Sequence, residues 1–262
     1  MDNFVLICAY ILSGIVGLCV GSFLNVVIYR LPNNMSLAKP NSHCPACKYE
    51  LRWYDNIPVI SYLILGGKCR KCKTHISLRY TVVELFNAIL WVLSVHMFWE
   101  RSIPLALIYA LAFSIFICVF FIDLEHLIIF DRFQIMLAIL GILSIFFDKD
   151  FDWLSHIIGG VAGFAVFYLI AFLFEKLYKS EGLGGGDVKL VGAVGLLLGW
   201  ERLVLSMLIA TIPAAIIMSI VKRGKSGEEK LFPFAPFLII GFSVSLLFGA
   251  PILNWYLSLF GL

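Results

Sequence analysis

"FVLICAYILSGIVGLCVGSFLNVVI", residues 4–28, contains no charged side chain and no proline. A helix needs about 20 consecutive apolar residues to cross the hydrocarbon core of a bilayer, and this run exceeds that. The residues before it, Met1-Asp2-Asn3, lack the basic start of a secretory signal peptide. The segment is therefore expected to stay in the protein as its first membrane span.

The rest of the chain repeats the pattern. Its 262 residues are 61% hydrophobic, 15% aromatic and 14% charged, whereas soluble domains are about 45–50% apolar and about one quarter charged. Spans are read at 4–28, 81–99, 103–122, 127–147, 155–174, 187–199, 203–221 and 235–258, the sixth being short. This predicts an all-α polytopic membrane protein with about eight transmembrane helices. No polar stretch is large enough for a second soluble domain. The expected partner is the lipid bilayer, with no nucleic acid.

An even number of spans puts both termini on one side and sorts the connections into two sets. The set holding 29–80, 123–126, 175–186 and 222–234, with the adjoining helix ends, carries 17 of the 20 lysines and arginines. These include Arg132, Lys176, Lys179, Lys189, Lys222, Arg223, Lys225 and Lys230. The other set, which includes the acidic turn 148–152, has Arg101, Lys149 and Arg202. Basic residues favour cytoplasmic loops, so the first set is expected in the cytoplasm. The chain then divides into a first helix at 1–28, a cytoplasmic loop at 29–80 and a helical region at 81–262.

The loop is more than a basic anchor. "HCPACK" and "GKCRKC" set Cys44 and Cys47, then Cys69 and Cys72, as two Cys-x2-Cys pairs separated by 21 residues. A two-residue gap lets both sulfurs of a pair face one ion, so the four thiolates suit a tetrahedral structural Zn²⁺. A reducing cytoplasm disfavours disulfides, and the neighbouring basic residues favour thiolate. A loop with little apolar core of its own would draw folding free energy from the metal. The alternative is a pair of redox-active dithiols. His43 and His75 lie beside the tetrad as spare ligands. Cys8, Cys19 and Cys118 fall inside apolar spans and read as small core residues.

Acids in or beside spans are costly and mark function by default. They are Glu84, Asp123, Glu125, Asp131 and Asp187. Asp123 ends the third span and Asp187, in "LGGGDVKL" (183–190), begins the sixth, so both reach the same membrane face. Two close carboxylates in a low dielectric cannot both ionise easily and share one proton, which suits acid–base hydrolysis. The competing reading for each is helix capping. Asp131 is eight residues beyond Asp123, about 12 Å along a continuous helix, too far to share that proton. It is read as orienting substrate, capping or snorkelling. Glu84 is as readily an interfacial partner of Arg79 as a catalytic group.

Taken in order, "GSFLNVVIYRLP" (21–32), the two cysteine pairs, "WYDNIPVISYLILGGKCRKC" (53–72), "ISLRYTVVE" (76–84), "FIDLEHLIIFD" (121–131), "GGGDVKL" (184–190) and "PFAPFL" (233–238) resemble the bacterial prepilin peptidases, or type IV leader peptidases. The resemblance covers nearly the whole chain. It implies a multi-pass aspartic endopeptidase of the bacterial inner membrane with Asp123 and Asp187 as its catalytic pair. It also implies zinc on Cys44, Cys47, Cys69 and Cys72. The substrates implied are prepilins or pseudopilins, cleaved after a glycine at the cytoplasmic face. The new N-terminus is then methylated with S-adenosylmethionine, a step associated with the 29–80 region. The glycine-rich nucleotide fold of soluble methyltransferases is missing, so no residue is assigned to that cofactor. Three positions depart from the family pattern: Phe130 and Thr81 stand in place of proline, and Ala235 in place of glycine. The rival readings are a membrane thiol oxidoreductase using the cysteine pairs and an ion transporter using the acids.

Overall fold

A computed structural model describes residues 3–148, 152–178, 184–223 and 232–259. Lys179, Lys225, Lys230, Leu183 and the middle of the acidic turn, 149–151, lie outside the described residues. The helices are α1 (Asn3–Arg30), α2 (Ile60–Ile64), α3 (Arg79–Phe98), α4 (Ile103–His126), α5 (Asp131–Phe147), α6 (Trp153–Tyr178), α7 (Gly185–Leu198), α8 (Trp200–Arg223) and α9 (Ala235–Ser258). Among the described residues there is no strand, only isolated bridges between His43 and Glu50 and between Lys68 and His75. The chain is an all-α, multi-pass membrane protein.

Among the described residues, eight helices of 14 residues or more lie near the eight expected spans. Six of them (α1, α3, α4, α6, α8 and α9) are long and apolar enough to cross a bilayer. The other two, α5 with 17 residues and α7 with 14, are shorter than the usual span of about 20. The expected span 127–147 also begins too early. Leu127 closes α4 in the left-handed region at φ 56°, its N–H bonded to Asp123 O, and α5 starts only at Asp131. Asp123 and Asp131 therefore do not share a continuous helix.

The chain forms two compact units, Met1–Trp99 and Glu100–Leu262. In the first, α1 lies against α3 at glycines. A Cβ on Gly17 would come within 2.8 Å of Ala88 Cα, and one on Gly21 within 2.8 Å of Glu84 Cα. Close backbone approach through small residues is how helices associate where lipid is as apolar as the side chains. Asn87 Nδ2 adds a hydrogen bond to Gly17 O at 2.7 Å. Of the three cysteines in apolar spans, Cys8 and Cys19 are exposed rather than core residues, and Cys118 is buried. In lipid an outward apolar side chain needs no core.

In the second unit α4 is the centre. It is apolar on all sides, the pattern of a helix surrounded by others, and Phe113, Phe116, Tyr109 and Ile122 are almost fully enclosed. Helices α5 and α9 pack on it, α7 packs on α5 and α6, and α8 on α9. This arrangement brings the ends of α4, α7 and α9 to one place.

Candidate active site and metal centre

Asp123 sits in the last turn of α4 and is buried. The Ala235 backbone N–H, at the start of α9, is directed at its carboxyl. Its Oδ2 is enclosed and has no hydrogen-bond partner among the described residues. An acid near a helix C-terminus opposes the macrodipole, and a buried acceptor without a partner costs about 1–3 kcal/mol. Neither feature stabilises α4.

Asp187 lies in the first turn of α7, three residues after the N-cap, Gly184, and no side chain makes the capping hydrogen bond. Its carboxyl folds back over that glycine, so that a Cβ at Gly184 would lie 3.2 Å from Asp187 Oδ2. The charge of Asp123 is felt at the Asp187 carboxyl. Capping does not explain Asp123, which ends its helix rather than beginning it.

The break at 127–130 is what lets α7 approach. Ile129 Cβ would be 3.0 Å from a Cβ at Gly186, so only a glycine lets the two strips of backbone lie this close. Gln134 Nε2 donates to Gly186 O at 3.0 Å. Lys189 Nζ meets Asp131 Oδ1 at 2.8 Å, with both side chains largely exposed. Asp131 thus ties α5 to α7 from the first turn of α5, where the helix dipole favours an acid.

In the loop of the first unit, Cys44, Cys47, Cys69 and Cys72 offer sulfurs that all lie within 4.8 Å of one another and could hold a metal ion. Two of the separations are 3.7 Å (Cys44–Cys72) and 3.9 Å (Cys47–Cys69). Four sulfurs about 2.3 Å from one zinc sit about 3.8 Å apart at the corners of a tetrahedron. The donor set fits that ion.

Both cysteine pairs use the same turn. Lys48 N–H bonds to Cys44 O and Lys73 N–H to Cys69 O, with both lysines at positive φ, 57° and 59°. The Thr74 hydroxyl and N–H push the Cys72 thiol down to about 6. Cys47 is driven the other way, up to about 11, by burial and its sulfur neighbours despite the N–H of Tyr49. Four thiolates in one cluster need a cation. The His43 ring is engaged with Asn41 O at 2.9 Å, and the metal-capable group contains only cysteines.

A strut through the buried Asp55 joins the two turns. Asp55 bonds Arg70 Nε at 2.7 Å and accepts from Tyr49 Oη and the Arg52 N–H, both at 3.3 Å. Burial alone would raise the Asp55 carboxyl, but Arg70 and the N–H of Arg52 hold it below the usual range.

Two family models match the chain, one in each compact unit. The bacterial peptidase A24 N-terminal domain covers residues 15–98 and the type IV leader peptidase family covers residues 110–219. A prepilin leader peptidase/N-methyltransferase of Pseudomonas aeruginosa is 34% identical over 281 residues, covering 97% of this chain and 95% of the relative. The chain belongs to the type IV leader peptidase family. Relatives with the same name from Burkholderia pseudomallei (33% identical, 94% of this chain, 87% of the relative) and Aeromonas salmonicida (32%, 92% and 91%) align over a similar extent. No solved structure matches.

In this leader peptidase the three departures leave the backbone of the site in place. Phe130 has φ −75°, within the range to which a proline ring holds the chain. Ala235 supplies an N–H as a glycine would. Thr81 lies in the first unit, with its hydroxyl buried and unpartnered among the described residues. Glu84 is buried there too and accepts the Val59 N–H at 2.8 Å and a bond from Ser22. Glu125 is exposed in the last turn of α4. Sequence reasoning passed over Gln134 and the Ala235 N–H. Gln134 carried a signal, being a buried amide in the apolar run after Asp131, whereas nothing in the sequence marks a backbone donor.

Proposed function

We propose that Asp123 and Asp187 are the catalytic pair of an aspartic endopeptidase that removes the basic leader of prepilin-like proteins. The observation that carries this is the convergence of two helix ends, distant in sequence, that leaves a buried carboxyl oxygen of Asp123 without a partner beside a second acid. In the reaction one carboxylate is ionised and takes a proton from water as that water attacks the scissile carbonyl. The other is protonated and donates to the departing amine.

The cleavage point follows a glycine at the cytoplasmic face of the inner membrane, an orientation supported by the distribution of basic residues. The apolar segment of the substrate stays in the bilayer while the leader reaches the acids. Zinc on the four cysteines fixes the loop between α1 and α3. A second activity, N-methylation of the new N-terminus with S-adenosylmethionine as methyl donor, is supported by the intact loop and by the names of the relatives. The sulfur cluster mixes partners from both pairs rather than isolating either, which favours a metal over a redox dithiol. The acids gather at helix ends rather than along a path through the membrane, which disfavours a transporter.

The test is leader removal from a prepilin by Asp123→Asn and Asp187→Asn variants that still insert and bind metal. Each is expected to lose between about 10²- and 10⁴-fold in kcat, the scale of general acid–base catalysis. Cleavage at the unaltered rate by either variant rejects the pair. Mass spectrometry of the mature product tests methylation, and a fully cleaved product with an unmodified N-terminus rejects it.

A further inference from the structure

Helix α2 turns its apolar face outward. Ile60, Leu63 and Ile64, spaced i, i+3 and i+4 on one face, are all exposed, Leu63 by 69% and Ile64 by 75%. In a water-facing loop such a face would be turned inward. Its depth relative to the spans supplies the reason. The residue just before α2, Val59, is held at φ 61°, an unfavourable conformation for a β-branched residue, and its N–H is bonded to Glu84. Glu84 is five residues inside α3, about 7.5 Å below the start of that helix. It packs on α1 at Gly21, nine residues before the end of α1 and within its apolar run. The start of α2 is thus fastened below the ends of both flanking spans.

We propose that α2 is an interfacial anchor that lies in the edge of the bilayer, with Ile60, Leu63 and Ile64 among the upper acyl chains. The second cysteine turn follows it closely and exposes Lys68, Lys71 and Lys73, which suit anionic lipid headgroups. Amphipathic segments with basic flanks bind such surfaces by this combination of apolar burial and charge. The anchor presses the metal-bound loop against the membrane instead of leaving it free in water. This inference rests on the membrane spans alone and does not depend on the catalytic reading.

The test uses the full-length protein in phosphatidylcholine–phosphatidylglycerol vesicles containing a lipid with a diazirine high on its acyl chain. Photolysis, digestion and mass spectrometry then locate the adducts. Adducts are expected on residues 60–64 as on the exposed face of α1, and few on the cysteine turns. Omitting phosphatidylglycerol is expected to lower the yield on α2. The Leu63→Asp/Ile64→Asp variant, with its metal content retained to show an intact loop, is expected to lose α2 labelling while α1 labelling persists. Absence of α2 adducts in the parent protein, with α1 labelled, overturns the proposal. α2 adducts that disappear on adding prepilin while α1 adducts persist also overturn it, and make the face a substrate surface.

Discussion

Three adjacent glycines give a graded prediction, because each would place an added methyl group in different surroundings. At Gly185 a Cβ meets nothing within 4 Å. Gly185→Ala is therefore expected to cleave prepilin as the parent does, with helix propensity giving at most about 1 kcal/mol of added stability. At Gly186 the methyl would lie 3.0 Å from Ile129 Cβ, so α7 or the 127–130 strip has to give by several tenths of an ångström. Misplacing reacting groups by about 1 Å costs roughly 10²-fold, and a shift of about half that size predicts about a tenfold fall in kcat for Gly186→Ala. At Gly184 the contact is with Asp187 Oδ2 itself, at 3.2 Å. The carboxylate can swing away without moving α7, so Gly184→Ala is expected to keep its stability and lose kcat. Initial rates of leader removal by purified variants, with thermal unfolding run alongside, separate these outcomes. Equal damage by Gly185→Ala and Gly186→Ala, or no effect from any of the three, refutes the reasoning.

Other perturbations probe the rest of the molecule. Replacing Cys44, Cys47, Cys69 or Cys72 by Ser is expected to abolish metal binding and loosen the loop, because binding and folding free energy are shared in such sites; metal analysis and protease sensitivity of 29–80 read this. Asp55→Asn leaves Arg70 without its anion and is expected to destabilise the loop by about 2 kcal/mol, within the range for charged hydrogen bonds after allowing for the exposed arginine, seen as a higher metal dissociation constant. Gly21→Leu drives a side chain into Glu84 of α3 and is expected to cost about 1–3 kcal/mol or more, measured by unfolding in mild detergent. Lys189→Ala breaks an exposed pair and is expected to change stability by less than about 1 kcal/mol; a larger loss would mean that the pair with Asp131 also positions α7.

Much of this architecture is legible in the chain because lipid leaves few options. Runs such as 4–28 and 103–122 can only be satisfied as helices, and Cys-x2-Cys spacing brings two sulfurs together wherever the turn is placed. The proposed pair, Asp123 and Asp187, stands out because charged groups bordering apolar runs are costly. The break at 127–130 is less legible, since Leu127-Ile128-Ile129-Phe130 continues an apolar pattern and contains no glycine or proline to announce it. It accompanies the packing of Gly186 on Ile129, a contact between segments more than fifty residues apart in the sequence. The late start of α5 has the same origin, because α5 and α7 both begin where the irregular backbone of the site ends. Helix α2 was hidden for another reason: five residues carry too little periodicity to separate a helix from a turn.

The donor that reaches Asp123 is an amide of the main chain, which has consequences for how this site can vary and be studied. Nineteen of the twenty amino acids would supply the same N–H at position 235, so the alanine found there in place of glycine is chemically silent toward the acid. Replacing side chains one at a time along α9 would pass over this contact entirely. Only proline removes the donor, and Pro236 already follows in the chain. The site therefore depends on where α9 begins more than on which residue begins it. Drift in the side chains of this helix is tolerated, while a one-residue insertion or deletion before it would carry the amide away from the carboxyl.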